Sequence, residues 1–337
     1  MQLSGLRERF PQLEQLEARL RNSLARQRVL VAIDDSALVL LAQQQERLMI
    51  RHVPLPENLC RQGLPMQPEA LGELLADLLL DMDILGGECE LLLPMPSCSW
   101  RLLCWPDGDP CQDQVKTFRQ LHPEMSLPAP QGAMALAETY LALSPVQSAS
   151  YPEIAPATSL LVGTERAMVQ AWIDVVAEAD LPLLGLEWML TAAWRGVRQA
   201  THEWEGDLAW LLRIDGRWRL ILLSDGLPEL DHELQSRFDD DQPEELLKEL
   251  EQVLLAWDRH IGGMLPLAWW ITAGDAAKKR LCEVLDNDRY GVCLSGDQRW
   301  LPDVLETSEL EGPETDFWQS DLASLATLAL AGARGDN

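Results

Sequence analysis

The chain has 337 residues, 47% hydrophobic and 24% charged, which excludes a disordered chain and exceeds one ordinary core, so two domains are expected. Its 54 acidic residues against 27 basic ones give a net charge of -27, which repels phosphate backbones and anionic headgroups and argues against nucleic acid as a main partner. The seven cysteines form no C-x-x-C pair, no apolar run reaches the roughly 18 residues a bilayer span needs, and the first 28 residues hold no continuous apolar h-region, so a soluble cytoplasmic protein with free thiols is expected rather than a disulfide framework or a metal centre.

Residues 1–28 place Leu6, Phe10, Leu13, Leu16, Leu20 and Leu24 on one side of a helix. Six arginines against three glutamates (Glu8, Glu14, Glu17) make this segment net +3 on an acidic protein. The expectation is a helical extension packed on its own acidic body, with docking to a partner or a membrane surface as the other reading. An apolar run at 29–33 then turns at Asp34-Asp35-Ser36, returns through 37–42, turns at 43–46 and continues through 47–53. Leu71, Leu74, Leu75, Leu78 and Leu79 predict a helix over 67–82, and 89–93 is a strand.

Four prolines (Pro94, Pro96, Pro106, Pro110) bracket a strand at 99–105, a connector helix falls near 111–121, and the Pro/Ala/Ser-rich stretch 123–156 reads as loop. A strand at 159–163 leads to Thr164 as the cap of a helix over 165–178, then to a strand at 183–188 and a helix over 190–202. Strands follow at 208–214 and 217–223 with Asp215-Gly216 between them, and Ser224-Asp225-Gly226 opens a third that ends near Leu234. Asp-Gly between apolar runs is a strong hairpin signal, because both central residues need positive φ. A helix over 243–260 and a strand at 267–272 come next. The acidic cluster Asp239-Asp240-Asp241 with Glu244, Glu245, Glu249 and Glu251 suits a solvated helix start better than a calcium loop. Signals are weak over 286–313, apart from a short strand at 290–294, and 316–332 is a closing helix whose Ala323, Ala326, Ala329 and Ala331 permit close packing.

One unit therefore occurs twice: a three-stranded meander, then a helix, then a strand. The expected class is α/β, a duplicated RNase H-like (actin/Hsp70-like) two-domain fold. Its expected parts are the extension 1–28, a first domain over 29–203 with an insertion at about 107–203, a second domain over 204–315, and a C-terminal helix over 316–337 returning to the first domain.

This order of elements resembles the PilM family, actin-like cytoplasmic components of type IV pilus assembly, across 29–334. Val53-Pro54-Leu55-Pro56, the Gln62-Gly63 turn and the helix from Pro68 are similar to that family's passage from third strand to first helix. The strand at 159–163, the following helix, Leu183-Leu184-Gly185-Leu186-Glu187 and the Ala-rich end at 325–332 are similar as well. The resemblance implies an adaptor of the inner-membrane assembly platform that binds the cytoplasmic tail of a PilN-like membrane protein, with links to a PilO-like protein and the pilus assembly ATPase. A GspL-like secretion component and a divergent sugar-kinase-like phosphotransferase are the alternatives.

The resemblance also implies nucleotide positions, and here the chain departs from the pattern. An actin-like ATPase needs two Gly-bearing turns whose N–H groups cradle phosphate, with an Asp near each. Here the first turn is Asp34-Asp35-Ser36, with no Gly and a second anion; the second is Asp215-Gly216, displaced and followed by bulky Trp218; the adenosine turn is reduced to Gly274. No cofactor is expected on these grounds, Mg-ATP being the alternative, and no catalytic or metal set is expected. The five histidines show no H-E-x-x-H, and there is no G-x-S-x-G, P-loop or G-x-G-x-x-G. Among thirteen tryptophans, Trp269-Trp270 falls in a predicted central strand, while Trp204, Trp210 and Trp218 suit either a groove or a core.

Overall fold

The computed structural model describes residues 27–44, 47–84, 87–105, 113–129, 132–146, 157–214, 216–236, 243–261, 267–285, 291–294 and 319–334. The expected basic helix, Cys111, Asp215 and the Asp239–Asp241 cluster lie outside them. The first strand, β1 (Arg28–Ile33), is buried from Val29 onward, as a strand covered on both faces must be. It pairs antiparallel with β2 (Ala37–Gln44), which pairs antiparallel with β3 (Arg47–Pro54). A small hairpin follows, β4 (Cys60–Arg61) and β5 (Leu64–Pro65), whose turn residues Gln62 and Gly63 both have positive φ. Helix α1 (Pro68–Asp81) then buries Leu71, Leu75 and Leu79 and delivers β6 (Glu88–Leu93) parallel to β1.

A separate sheet comes next. Its strands are β7 (Cys98–Trp105), β10 (Thr139–Val146) and β11 (Ala157–Glu165), and between β7 and β10 the chain forms the helix α2 (Gln114–Leu121) and a separate two-stranded hairpin of β8 (Ser126–Ala129) and β9 (Gly132–Ala135). The order β10-β11-β7 is antiparallel throughout. The stretch read as loop thus carries three strands. Their Pro128 and Pro145 hid the signal, and Pro145 is tolerated because β10 is an edge strand. The inserted sheet also opens earlier than the expected 107, since it includes β7.

Helix α3 (Arg166–Glu178) returns the chain to the first sheet as β12 (Leu183–Trp188), parallel to β6, and α4 (Met189–Ala200) follows. Both belong with the first sheet rather than with an insertion reaching 203. Thr164 does not cap α3. It is the penultimate residue of β11, and its hydroxyl donates instead to the Ser97 carbonyl at 2.8 Å.

The second half repeats the plan with β13 (Asp207–Ile214), β14 (Arg217–Ser224), β15 (Leu227–Glu233), α5 (Pro243–Ile261), β16 (Leu267–Thr272), α6 (Asp275–Leu285) and β17 (Val292–Cys293). Helix α6 carries no sequence expectation, being short and rich in charge. The final helix, α7 (Asp321–Arg334), starts five residues later than the expected 316. Between β14 and β15, Asp225 and Gly226 both take positive φ, as the Asp-Gly signal requires.

The two five-stranded sheets have the same order, β12-β6-β1-β2-β3 and β15-β14-β13-β16-β17 read from opposite ends, so the expected doubling is present. In this correspondence α4 follows the last strand of the first sheet and α7 the last strand of the second. These equivalent helices pack against each other, and α7 also touches β1 and β2 on one side and β13 and β16 on the other. The approach is backbone-close: a Cβ on Gly196 would lie 2.2 Å from the Leu328 carbonyl oxygen, and one on Gly332 would lie 2.1 Å from that of Ala192. Among the described residues no helix is long and apolar enough to cross a membrane.

Gly196→Val should push α7 off α4 and cost about 2–3 kcal/mol, because overpacking against backbone leaves no flexible neighbour to yield. Gly185→Ala serves as control: a Cβ there meets nothing within 4 Å, and the change should stay within about 0.5 kcal/mol. Urea unfolding midpoints measure both.

Candidate functional site

Of the three turns expected to form a nucleotide site, two meet the start of α7, the end of β13 through Arg213 and the β16–α6 turn through Gly274, while the β1–β2 turn meets the β4–β5 hairpin. Each can be taken from its residues upward. At the β1–β2 turn, Asp34 is buried, and its Oδ1 accepts hydrogen bonds from the Ser36 N–H (2.8 Å), the Ser36 hydroxyl (2.9 Å) and the Ala37 N–H (2.7 Å). The N–H groups that a phosphate-binding turn would present to a ligand are thus engaged by the turn's own carboxylate. Burial pushes the Asp34 carboxyl above its ordinary range, the hydrogen bonds from Ser36 and Ala37 pull it back part of the way, and the neighbouring charge of Asp35 adds to the rise. Asp35 turns the other way. Its two oxygens accept from the Gln62 N–H at 2.7 Å and the Gly63 N–H at 2.9 Å, which staples the β1–β2 turn to the β4–β5 hairpin. The Gly63 carbonyl in turn accepts from the Trp172 indole of α3 at 2.9 Å. Gly63 has a φ of +76°, and a Cβ there would lie 2.7 Å from the Ser97 hydroxyl, so both conformation and space call for glycine.

At the β13–β14 turn, Gly216 has a φ of +72° and stands in open space. Just before it, Arg213 donates from Nε to both oxygens of Asp321, at 3.0 and 2.9 Å, and its guanidinium lies 5.6 Å from the centre of the Trp218 ring. Trp218 is fully buried in the second core beside Leu220, Leu246 and Trp269. Trp210 is fully buried as well and donates to the Thr272 hydroxyl at 3.0 Å. Of the groove-or-core tryptophans, these two are therefore core.

At the β16–α6 turn, the Gly274 N–H donates to Asp321 Oδ1 at 2.8 Å. A Cβ on Gly274 would lie 2.1 Å from the Gln319 carbonyl oxygen, and the Ser324 hydroxyl donates to the Ala273 carbonyl at 2.9 Å. The close approach that Gly274 permits is taken by the chain itself. Asp321 thus supplies one carboxylate to both elements of the second half, with Arg213 on one side and Gly274 on the other. The structure brings Gly274 into this cluster and places Asp34, Asp35 and Ser36 together at the first turn.

Sequence reasoning missed the contacts that seal the two halves. Trp100 of β7 stands edge-on to Trp188 at the end of β12 and to Trp194 of α4, with ring centres 5.4 and 6.2 Å apart. The Trp100 indole donates to Asp231 of β15 at 2.5 Å, and Arg219 of β14 grips the same carboxylate at 2.5 and 2.6 Å while lying 5.9 Å from the Trp188 ring centre. Trp194 donates to the Gly226 carbonyl at 2.9 Å, with Arg198 over its face at 5.1 Å. The only available signal was the high tryptophan count, since the partners are far apart in sequence.

No protein-family model and no curated protein matches the chain. Among solved structures it is similar to a chain of the PilM–PilN type IV pilus biogenesis complex at 16% identity, over 92% of this chain and 98% of that one, with a TM-score of 0.64. The chain has that actin-like fold. Lesser likenesses are to a Bacteroides thetaiotaomicron protein with an actin-like ATPase fold (5% identity, 80% and 90% covered, TM-score 0.47) and to the cytoplasmic domain of EpsL, an inner-membrane component of the Vibrio cholerae type II secretion system (14%, 90% and 94%, 0.45).

Two outcomes are expected. Asp321→Ala leaves the largely buried Arg213 without its anion and should cost about 2–3 kcal/mol in urea unfolding. Asp34 binds its proton more tightly when folded, so its contribution to stability is complete below the unfolded value of 3.8 and is lost as pH rises through the raised folded value. Asp34→Asn keeps an acceptor oxygen but does not titrate. Its stability relative to the native protein should therefore increase in urea midpoints as pH rises above 3.8 and through the raised folded value, and a flat difference would show that Asp34 is not a desolvated acid.

Proposed function

We propose that the protein is a non-catalytic, PilM-like adaptor of a type IV pilus or type II secretion assembly platform, which binds the cytoplasmic tail of a PilN-like membrane protein and takes no nucleotide as cofactor. The observation that carries the second half of this reading is the engagement of the turn N–H groups by the chain's own carboxylates. Ser36 and Ala37 donate to Asp34, Gln62 and Gly63 donate to Asp35, and Gly274 donates to Asp321. A polyphosphate seated there would face carboxylates in place of free N–H groups, and each displaced internal bond would leave a group needing a new partner. The likeness to a chain of the PilM–PilN complex supports the first half. In this reading the protein sits in the cytoplasm, held peripherally at the inner membrane by its partner, and a PilO-like protein and an assembly ATPase are further members of the same platform.

Isothermal titration tests both halves. A peptide covering the cytoplasmic tail of a PilN-like membrane protein should give saturable heat, and Mg-ATP should give none up to millimolar concentration. Micromolar Mg-ATP binding would overturn the non-catalytic reading, whereas silence with the peptide would remove the adaptor reading.

A further inference from the structure

Six cysteines lie among the described residues, and four have separate surroundings. Cys60, Cys89 and Cys98 are buried, and burial raises their thiol pKa values, those of Cys89 and Cys98 to about 12. Cys104 is exposed on β7. The remaining two meet: Cys282 Sγ of α6 stands 2.7 Å from Cys293 Sγ of β17. Both are half-buried against the second core.

Their meeting follows from how this edge of the sheet is built. Helix α6 lays Ala277, Leu281 and Leu285 onto the core, which puts Cys282 at the margin of the buried face. Among the described residues, β17 joins the sheet through two register pairs, Ala268 with Val292 and Trp269 with Cys293, and through the Leu294 N–H donating to the Trp269 carbonyl at 2.9 Å. Eleven positions separate the two thiols in sequence, and the fold closes that loop without them. A disulfide bond is about 2.05 Å long, so the sulfurs need to approach by only about 0.7 Å, within reach of small χ1 adjustments.

We propose that Cys282 and Cys293 form a dithiol site that exchanges with small-molecule disulfides of the oxidised glutathione class and closes into an intramolecular disulfide. One cysteine thiolate attacks a sulfur of oxidised glutathione, giving a mixed disulfide and one glutathione thiolate. The second cysteine thiolate then attacks the protein sulfur of that mixed disulfide, the Cys282–Cys293 bond forms, and a second glutathione thiolate leaves. Two cysteine thiols are oxidised by two electrons, oxidised glutathione is reduced by two, and the two cysteine protons end on two glutathione thiols. The product ties β17, the last strand of the second sheet, covalently to α6. The site is independent of the adaptor reading.

The test incubates the full-length protein in glutathione buffers of rising oxidised fraction, traps remaining thiols by alkylation, and reads intact mass and a peptide map. The expected result is a Cys282–Cys293 cross-linked peptide and the loss of two hydrogens at ratios where exposed Cys104 carries glutathione as a mixed disulfide. Cys282→Ser should abolish the cross-link and leave Cys293 as a thiol or a glutathione adduct. Should the native protein keep Cys282 and Cys293 as thiols, hold glutathione on each, or pair either with another cysteine while Cys104 is already modified, the proposal is wrong.

Discussion

The carboxylate of Asp321 at the start of α7 is the point at which the two halves become one molecule. It takes the Arg213 guanidinium from the end of β13 and the Gly274 N–H from the β16–α6 turn, while the helix it begins lies on α4 of the first half. Magnitudes separate the roles. Burying Leu322, Leu325 and Leu328 supplies about 1.5–3 kcal/mol each, so the helix is held mainly by its leucines. A partly buried ion pair roughly breaks even against its desolvation, so the Arg213–Asp321 pair as a whole adds little net stability, although removing one partner is costly, and its role is to fix the register of α7. That register requires glycine at 196, 274 and 332, where backbone passes backbone with no space for a Cβ.

The same economy runs through the rest of the cleft. Tight turns of an actin-like fold leave several N–H groups pointing inward, and a buried donor without an acceptor costs about 1–3 kcal/mol. This chain supplies acceptors from within: Asp34 for its own turn, Asp35 for the neighbouring hairpin, Asp321 for the turn opposite. Indole rings fill the remaining space between the halves, with Asp231 shared by Trp100 and Arg219 as the polar anchor. The edge-on pairs hold these rings together within the first half, and their contacts with Asp231, the Gly226 carbonyl and Arg219 cross to the second half.

Much of the framework was legible because local pattern and tertiary environment agree. Strands β1, β2, β13 and β16 are nearly continuous apolar runs flanked by turn residues, and strands buried on both faces read that way. Where the two disagreed, the reading failed. Strands β8 to β10 hide behind proline and alanine because the small sheet has one thin core and exposed edges. Helix α6 lacks a long apolar stripe, since it covers only a sheet margin. Thr164 has the chemistry of a cap but is consumed by the Ser97 carbonyl. The site was legible only as a departure from a pattern: no glycine and a second carboxylate at the first turn, and bulky Trp218 after the second. That Asp34 would satisfy its own turn follows from the short Asp side chain, whereas the clasp of Arg213 by Asp321 joins residues 108 apart and leaves no local trace.

The self-capped β1–β2 turn also constrains what mutation can do. Replacing Asp34 by glycine would strip the acceptor from the Ser36 and Ala37 donors, and replacing Asp35 would release the Gln62–Gly63 hairpin. Each step toward a phosphate-cradling loop weakens the fold before any ligand compensates, so the surrounding sequence space slopes away on every side. Drift at this turn is therefore filtered by folding before any ligand can act, and the arrangement behaves as a ratchet.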